Sequence, residues 1–338
     1  MKFLKIISFF KTCKKYLLGH ITFTLKALLG SSLYIFSRNS PVIFLYHEIT
    51  DDPNEFARDH ELFISLENFE KQLIWILRKY EILNPSELLI DNKKENHVKS
   101  KPQAILTFDD GAKSIFLNAA PILRKYNVKA LIFLNMEPIL GKEFWAGKIL
   151  YHYKYDPIFK ERVDKKYQEY KVPFLRITQK DLDKYTSNDD KNINEKIKAY
   201  HGGFANLRDL MDNQDVFYYG SHLFNHYNAT TLTKSELQEQ LILNEEQMIS
   251  IKGLPQLFAY PFGQPITCFD DKTDQIVLNS GVKKIFYANP GFISSLHNQK
   301  LNRISMNNHF NRGLIKFKIS AIPFLKIVKS KFEKVLKI

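Results

Sequence analysis

Cysteine is nearly absent from this chain: Cys13 and Cys268 are the two thiols in 338 residues. A pair so far apart excludes a disulfide framework and a thiolate metal site, so any bound metal must be held by histidine and carboxylate. Acids are missing from residues 1–40, which carry seven Lys and Arg and no Asp or Glu. They are scarce in 312–338, where eight basic residues face Glu333 alone. The formal charge of +13 therefore sits at the two ends, each at +7, and the body 41–311 is near neutral at −1. A body without a basic excess argues against a nucleic-acid partner. Also missing are a fixed-period repeat, a low-complexity tract and an A-x-A-like cleavage site before Arg38. What is there is an ordinary globular composition, 44% hydrophobic and 25% charged. The length suits one large domain or two modest ones.

The ends read as membrane-surface segments. The early apolar run Ile6–Phe10 is closed by Lys11, Lys14 and Lys15. The run Tyr16–Phe36 is long enough to span a bilayer but holds His20 and Lys26 near its middle, and a central Lys costs about 2.5–3.5 kcal/mol on insertion scales. Leu17, Leu18, Ile21, Leu25, Leu28, Leu29 and Leu33 instead recur at helical spacing with the lysines outside that stripe. Leu325, Val328, Phe332, Val335 and Leu336 repeat the design at the other end. The expected partner is an anionic membrane surface, with the protein peripheral on the cytoplasmic side of the cytoplasmic membrane. The alternative is an N-terminal anchor with the body outside.

The body alternates strand-like and helix-like segments. Apolar strands are expected at Val42–Tyr46, Ala104–Phe108, Lys129–Asn135, Val216–Tyr219, Leu257–Tyr260 and Ile285–Ala288, with a seventh near Asn302–Ile304. Helices are expected over Ser65–Tyr80 and Ile115–Tyr126, and from Thr233, where Thr233 and Glu236 form a capping box. Strands separated by helices imply parallel pairing and a barrel, closed or partly open, with its site at the C-terminal strand ends. Residues 140–212, charged and tyrosine-rich, break the rhythm and read as an inserted helical subdomain.

Three strand-end segments can carry chemistry. Thr107-Phe108-Asp109-Asp110-Gly111 places two carboxylates where neighbouring side chains point to opposite sides, so they can take two roles. It also fits an ordinary turn. In Gly220-Ser221-His222-Leu223-Phe224-Asn225-His226, two histidines at i and i+4 would share one face of a helical turn and reach one cation. They also fit a pair of surface histidines. Phe258-Ala259-Tyr260-Pro261-Phe262-Gly263 ends a strand in residues that fix φ and allow close backbone approach.

Together, in that order, the three segments resemble the polysaccharide deacetylase family, the NodB-homology domains of carbohydrate esterase family 4. The resemblance spans roughly 42–306, with 140–212 as an insertion. It implies an α/β fold, a distorted (β/α)7 barrel, and a divalent metal, usually zinc. It implies Asp110, His222 and His226 as metal ligands, Asp109 as general base, the Phe262 backbone N–H as oxyanion donor, and Tyr260 and Pro261 at the substrate. The chain departs from the pattern in several places. Leu223 stands where Ser or Thr is usual. The third-motif Arg is absent, and Arg303 is the candidate substitute. The Asp and Trp of the fourth motif are not evident. The general acid has two candidates, His309 and His47. The implied activity is removal of N-acetyl groups from an N-acetylated saccharide of the cell envelope, such as lipopolysaccharide, O-antigen, capsule or a lipid-linked precursor. The alternatives are an exported poly-N-acetylglucosamine or peptidoglycan deacetylase, and a catalytically impaired carbohydrate-binding relative. The expected organisation is a membrane-associating segment over 1–40, a catalytic domain over 41–311 and a basic amphipathic segment over 312–338.

Overall fold

The computed structural model describes residue 34 and residues 38–90, 101–263, 265–308 and 311–323. Most of both basic ends, residues 1–33 and 324–338, lies outside the described residues, as does His309. Among the described residues no helix is long and apolar enough to cross a membrane.

The described residues form eleven strands: β1 Val42–Tyr46, β2 Glu48–Ile49, β3 Phe63–Ile64, β4 Glu81–Ile82, β5 Gln103–Asp110, β6 Ala130–Leu134, β7 Phe217–Ser221, β8 Leu257–Ala259, β9 Lys284–Tyr287, β10 Lys300–Asn302 and β11 Ile304–Ser305. Nine form one sheet in the order β10-β9-β8-β7-β6-β5-β1-β11, with β4 beside β5. Every pairing in it is parallel. The expected seventh strand is split at Arg303. Residues 300–302 pair with β9 and 304–305 pair with β1, so one short stretch joins both edges of the sheet and nearly closes an α/β barrel.

Burial on both faces explains the near-continuous apolar runs of these strands. The two-residue alternation sorts them cleanly. Ile43, Ile105, Leu131, Phe133, Leu257, Ala259, Phe286 and Leu301 meet inside the barrel. Phe44, Leu106, Phe108, Ile132 and Leu134 face outward beneath helices, as do Phe258, Tyr260, Ile285 and Tyr287. The helix Leu66–Lys79 buries Phe69, Leu73 and Ile76, with Ser65 as its cap. The helix Lys234–Met248 starts at the expected box: Glu236 N–H donates to the Thr233 hydroxyl and Thr233 N–H to the Glu236 carboxylate.

Between β6 and β7 runs a helical excursion that includes Trp145–Tyr155, Pro157–Lys166, Gln179–Tyr185, Lys191–His201 and Leu207–Asp212. It has its own core of Phe144, Trp145, Ile149, Phe159, Val163 and Leu182. The beginning of the C-terminal basic segment belongs to the body, because Ile315 and Ile319 are buried in the barrel's outer core.

Candidate active site

Asp109 continues the inward alternation of Ile105 and Thr107, so its carboxylate enters the barrel. There Arg303, fully buried at the seam between β10 and β11, clamps it: Nη1 donates to Oδ1 at 2.6 Å and Nη2 to Oδ2 at 2.8 Å. The guanidinium also lies over the Phe133 ring at 5.1 Å. This planar, two-bonded arrangement suits Arg and not Lys.

Asp110 is the last residue of β5. Its φ of +71° and that of Gly111, +86°, turn the chain sharply and swing the carboxylate toward the histidines. A Cβ at Gly111 would lie 2.7 Å from Leu134 Cδ2, so this turn needs glycine twice over. Asp110 Oδ1 sits 3.2 Å from His226 Nε2 and 3.5 Å from His222 Nε2.

The histidines do not share a helical turn. They lie on a loop after β7 in which Leu223 (φ +60°) and His226 (φ +58°) are left-handed. The two rings still converge, with centroids 5.1 Å apart. Buried amides hold the loop in this costly conformation. Asn135 Nδ2 donates to the carbonyls of His222 and Leu223. Asn244 bridges Leu134 O, Ser221 Oγ and Met136 N–H, and Gln240 exchanges two hydrogen bonds with Asn225. These residues carry no motif of their own. The signal for Gln240 and Asn244 is their place on the buried stripe of Leu237, Leu241 and Met248.

The donor set fits a divalent cation. One ligand atom from each of Asp110, His222 and His226 lies within 4.8 Å of the other two. His222 Nδ1 donates to Ala259 O at 2.8 Å, which leaves Nε2 with its lone pair facing Asp110. Among the described residues Asp110 Oδ1 is buried without a hydrogen-bond partner. Burial pulls the His222 pKa down to about 4, against the pull of Asp109, so the ring is neutral as a ligand must be. For Asp110 burial opposes ionisation, but His226, His47 and His222 outweigh it and hold the carboxyl well below the usual range. One carboxylate and two imidazoles leave coordination positions open.

His47, between β1 and β2, lines the small cavity that also contains Asp109 and Asp110. The Phe262 ring packs edge-on against His226 at 4.7 Å, and its N–H finds no acceptor among the described residues. Tyr260 is a correction. It follows the outward alternation of Phe258, is 1% exposed, donates to Asp274 Oδ1 at 3.1 Å and stacks on Phe269. It does not face the cavity. Pro261 is likewise buried, its carbonyl accepting the Gly263 N–H.

Comparison with known proteins agrees with this geometry. The family described as polysaccharide deacetylase matches residues 96–147, the segment that holds Asp109 and Asp110. YxkH of Bacillus subtilis strain 168, described as a polysaccharide deacetylase, is 31% identical over 96 residues, 27% of this chain. The match spans 30% of that relative's length. The fold is shared with the Streptococcus pyogenes deacetylase PplD (TM-score 0.56, 18% identity, 83% of this chain and 98% of that one). It is shared also with IcaB from Ammonifex degensii (TM-score 0.54, 14% identity, 83% and 98%). Residues 96–147 thus match the polysaccharide deacetylase family, and the barrel around them has the fold of these two deacetylases.

Proposed function

We propose that the protein is a metal-dependent hydrolase that removes N-acetyl groups from an N-acetylated sugar of a cell-envelope glycan. The observation that carries this reading is the pairing of two environments at one strand end. Asp109 is clamped by Arg303, and its neighbour Asp110 faces two imidazoles. A divalent cation held by Asp110, His222 and His226 would supply Lewis acidity toward the acetyl carbonyl and lower the pKa of a water.

The chain's own residues do the rest. Asp109 takes the proton from the attacking water, and Arg303 fixes the plane of its carboxylate. The Phe262 N–H donates to the carbonyl oxygen as negative charge develops there. His47, on the same cavity wall, gives a proton to the nitrogen as the C–N bond breaks. Acetate and a free amine leave. Asp109→Asn is expected to abolish acetate release while the purified protein keeps its metal by elemental analysis. Full activity in that variant would overturn the assignment.

The same proposal extends to location. The basic ends hold the protein on the cytoplasmic face of an anionic membrane, where lipid-linked N-acetylated glycans are the accessible substrate. A carbonate wash of membranes is expected to release it, and retention in the pellet would favour an inserted anchor.

A further inference from the structure

The cavity that contains Asp109 and Asp110 measures about 10 Å³, room for about one water. A sugar polymer lying across this site would need an open groove on both sides of it. Among the described residues the helical excursion between β6 and β7 builds walls beside the site instead.

One wall is fixed to the catalytic strand. Beyond Gly111, Lys113 N–H donates to Gly203 O and Ala205 N–H to Gly111 O, both at 3.0 Å, around an antiparallel bridge of Ala112 with Phe204. Lys113 pairs with Asp209 just beyond it. A second contact closes the flank. Lys154 reaches both Glu55 and Asp59 at 2.5 Å, and the Phe56 ring meets those of Phe144 and Tyr200 at 5.8 Å. Gly202 comes so near that a Cβ there would lie 2.6 Å from Asn54 Nδ2. The far side, over His226, is filled by Phe144 at 5.4 Å and Phe262 at 4.7 Å, the latter backed by Trp145. Among the described residues the mouth of the cavity is formed by the partly or fully exposed lining residues His47, Glu48 and Leu62 together with His201, Gly203 and Phe204. Side-chain movement can widen this mouth, but the backbone bonds beside it hold the wall of the excursion against the catalytic strand.

We infer that the site is specific for a chain end: it accepts a terminal N-acetylated sugar, or a short glycan, and excludes internal units of a long polymer. Phe204, partly exposed at the mouth, is a specificity-determining residue. This inference rests on the deacetylase reading above.

The test uses the full chain with N-acetylglucosamine oligomers from dimer to hexamer, labelled at the reducing end, and locates each new amine by tandem mass spectrometry. The expected result is amine on one terminal unit at every length, at least about tenfold above any internal unit. Phe204→Ala is expected to raise the internal share several-fold. Comparable amine on internal and terminal units of the wild type would overturn the inference alone. An unchanged internal share in Phe204→Ala would also count against it. If no oligomer releases acetate, the deacetylase reading fails and this inference fails with it.

Discussion

Replacing Arg303 by Met removes the cation that clamps Asp109 inside the barrel. Arg303 is 0% exposed and the Asp109 side chain 4%, so water cannot take the place of the guanidinium. Both carboxylate oxygens lose a charged hydrogen bond, at 2.6 and 2.8 Å. A buried carboxylate stripped of its partner costs about 3–5 kcal/mol. Asp109→Leu strands the guanidinium in the same way. The double variant leaves neither charge behind, so its loss should fall short of the sum of the singles by about 1–3 kcal/mol. Equilibrium urea denaturation of the four proteins, with chelator present so that metal binding does not add to stability, measures the cycle. Losses that add to within about 0.5 kcal/mol would show that the two residues do not act as a pair, and the role given to Arg303 would fall.

Two further outcomes test other parts of the structure. Asn135→Ala removes the donor that holds the carbonyls of His222 and Leu223, and should weaken zinc affinity by about 10–100-fold in a competition titration, whereas unchanged affinity would refute its positioning role. His201, whose pKa burial lowers from 6.5 to about 4, stays neutral in the folded protein while the unfolded chain takes up a proton. The unfolded state thus binds more protons between those values, and acidification through that window should remove up to about 3 kcal/mol through this residue. His201→Gln should flatten that part of the urea-midpoint profile, and an unaltered profile would show that His201 is not its source.

The apolar runs made the barrel legible because parallel strands buried on both faces leave little room for polar residues. Thr233 and Glu236 were legible because a capping box is local chemistry. The adjacent carboxylates announced a strand end with two roles, and the two do face different partners. The histidine loop was not legible as a loop: left-handed Leu223 and His226 carry no glycine signal, and their conformation is imposed by Asn135, 87 residues away from His222. Tyr260 is expected at the substrate only through the resemblance of its motif, which carries no facing information. Alternation from Phe258 already turned it outward. The split at Arg303 depends on two strands, β9 and β1, that are distant in sequence and meet across it.

That split gives the protein a completion signal. The stretch 300–305 is the final piece of the sheet, and it brings the partner of Asp109 from 194 residues further along the chain. During synthesis every earlier strand can pair while the carboxylate still faces an open seam. Docking of the last segment links the two edges of the sheet and neutralises that charge in one event. The proposed chemistry is thereby coupled to the arrival of this segment, and a chain stopped before residue 303 holds both carboxylates and both histidines yet lacks the cation that orders Asp109.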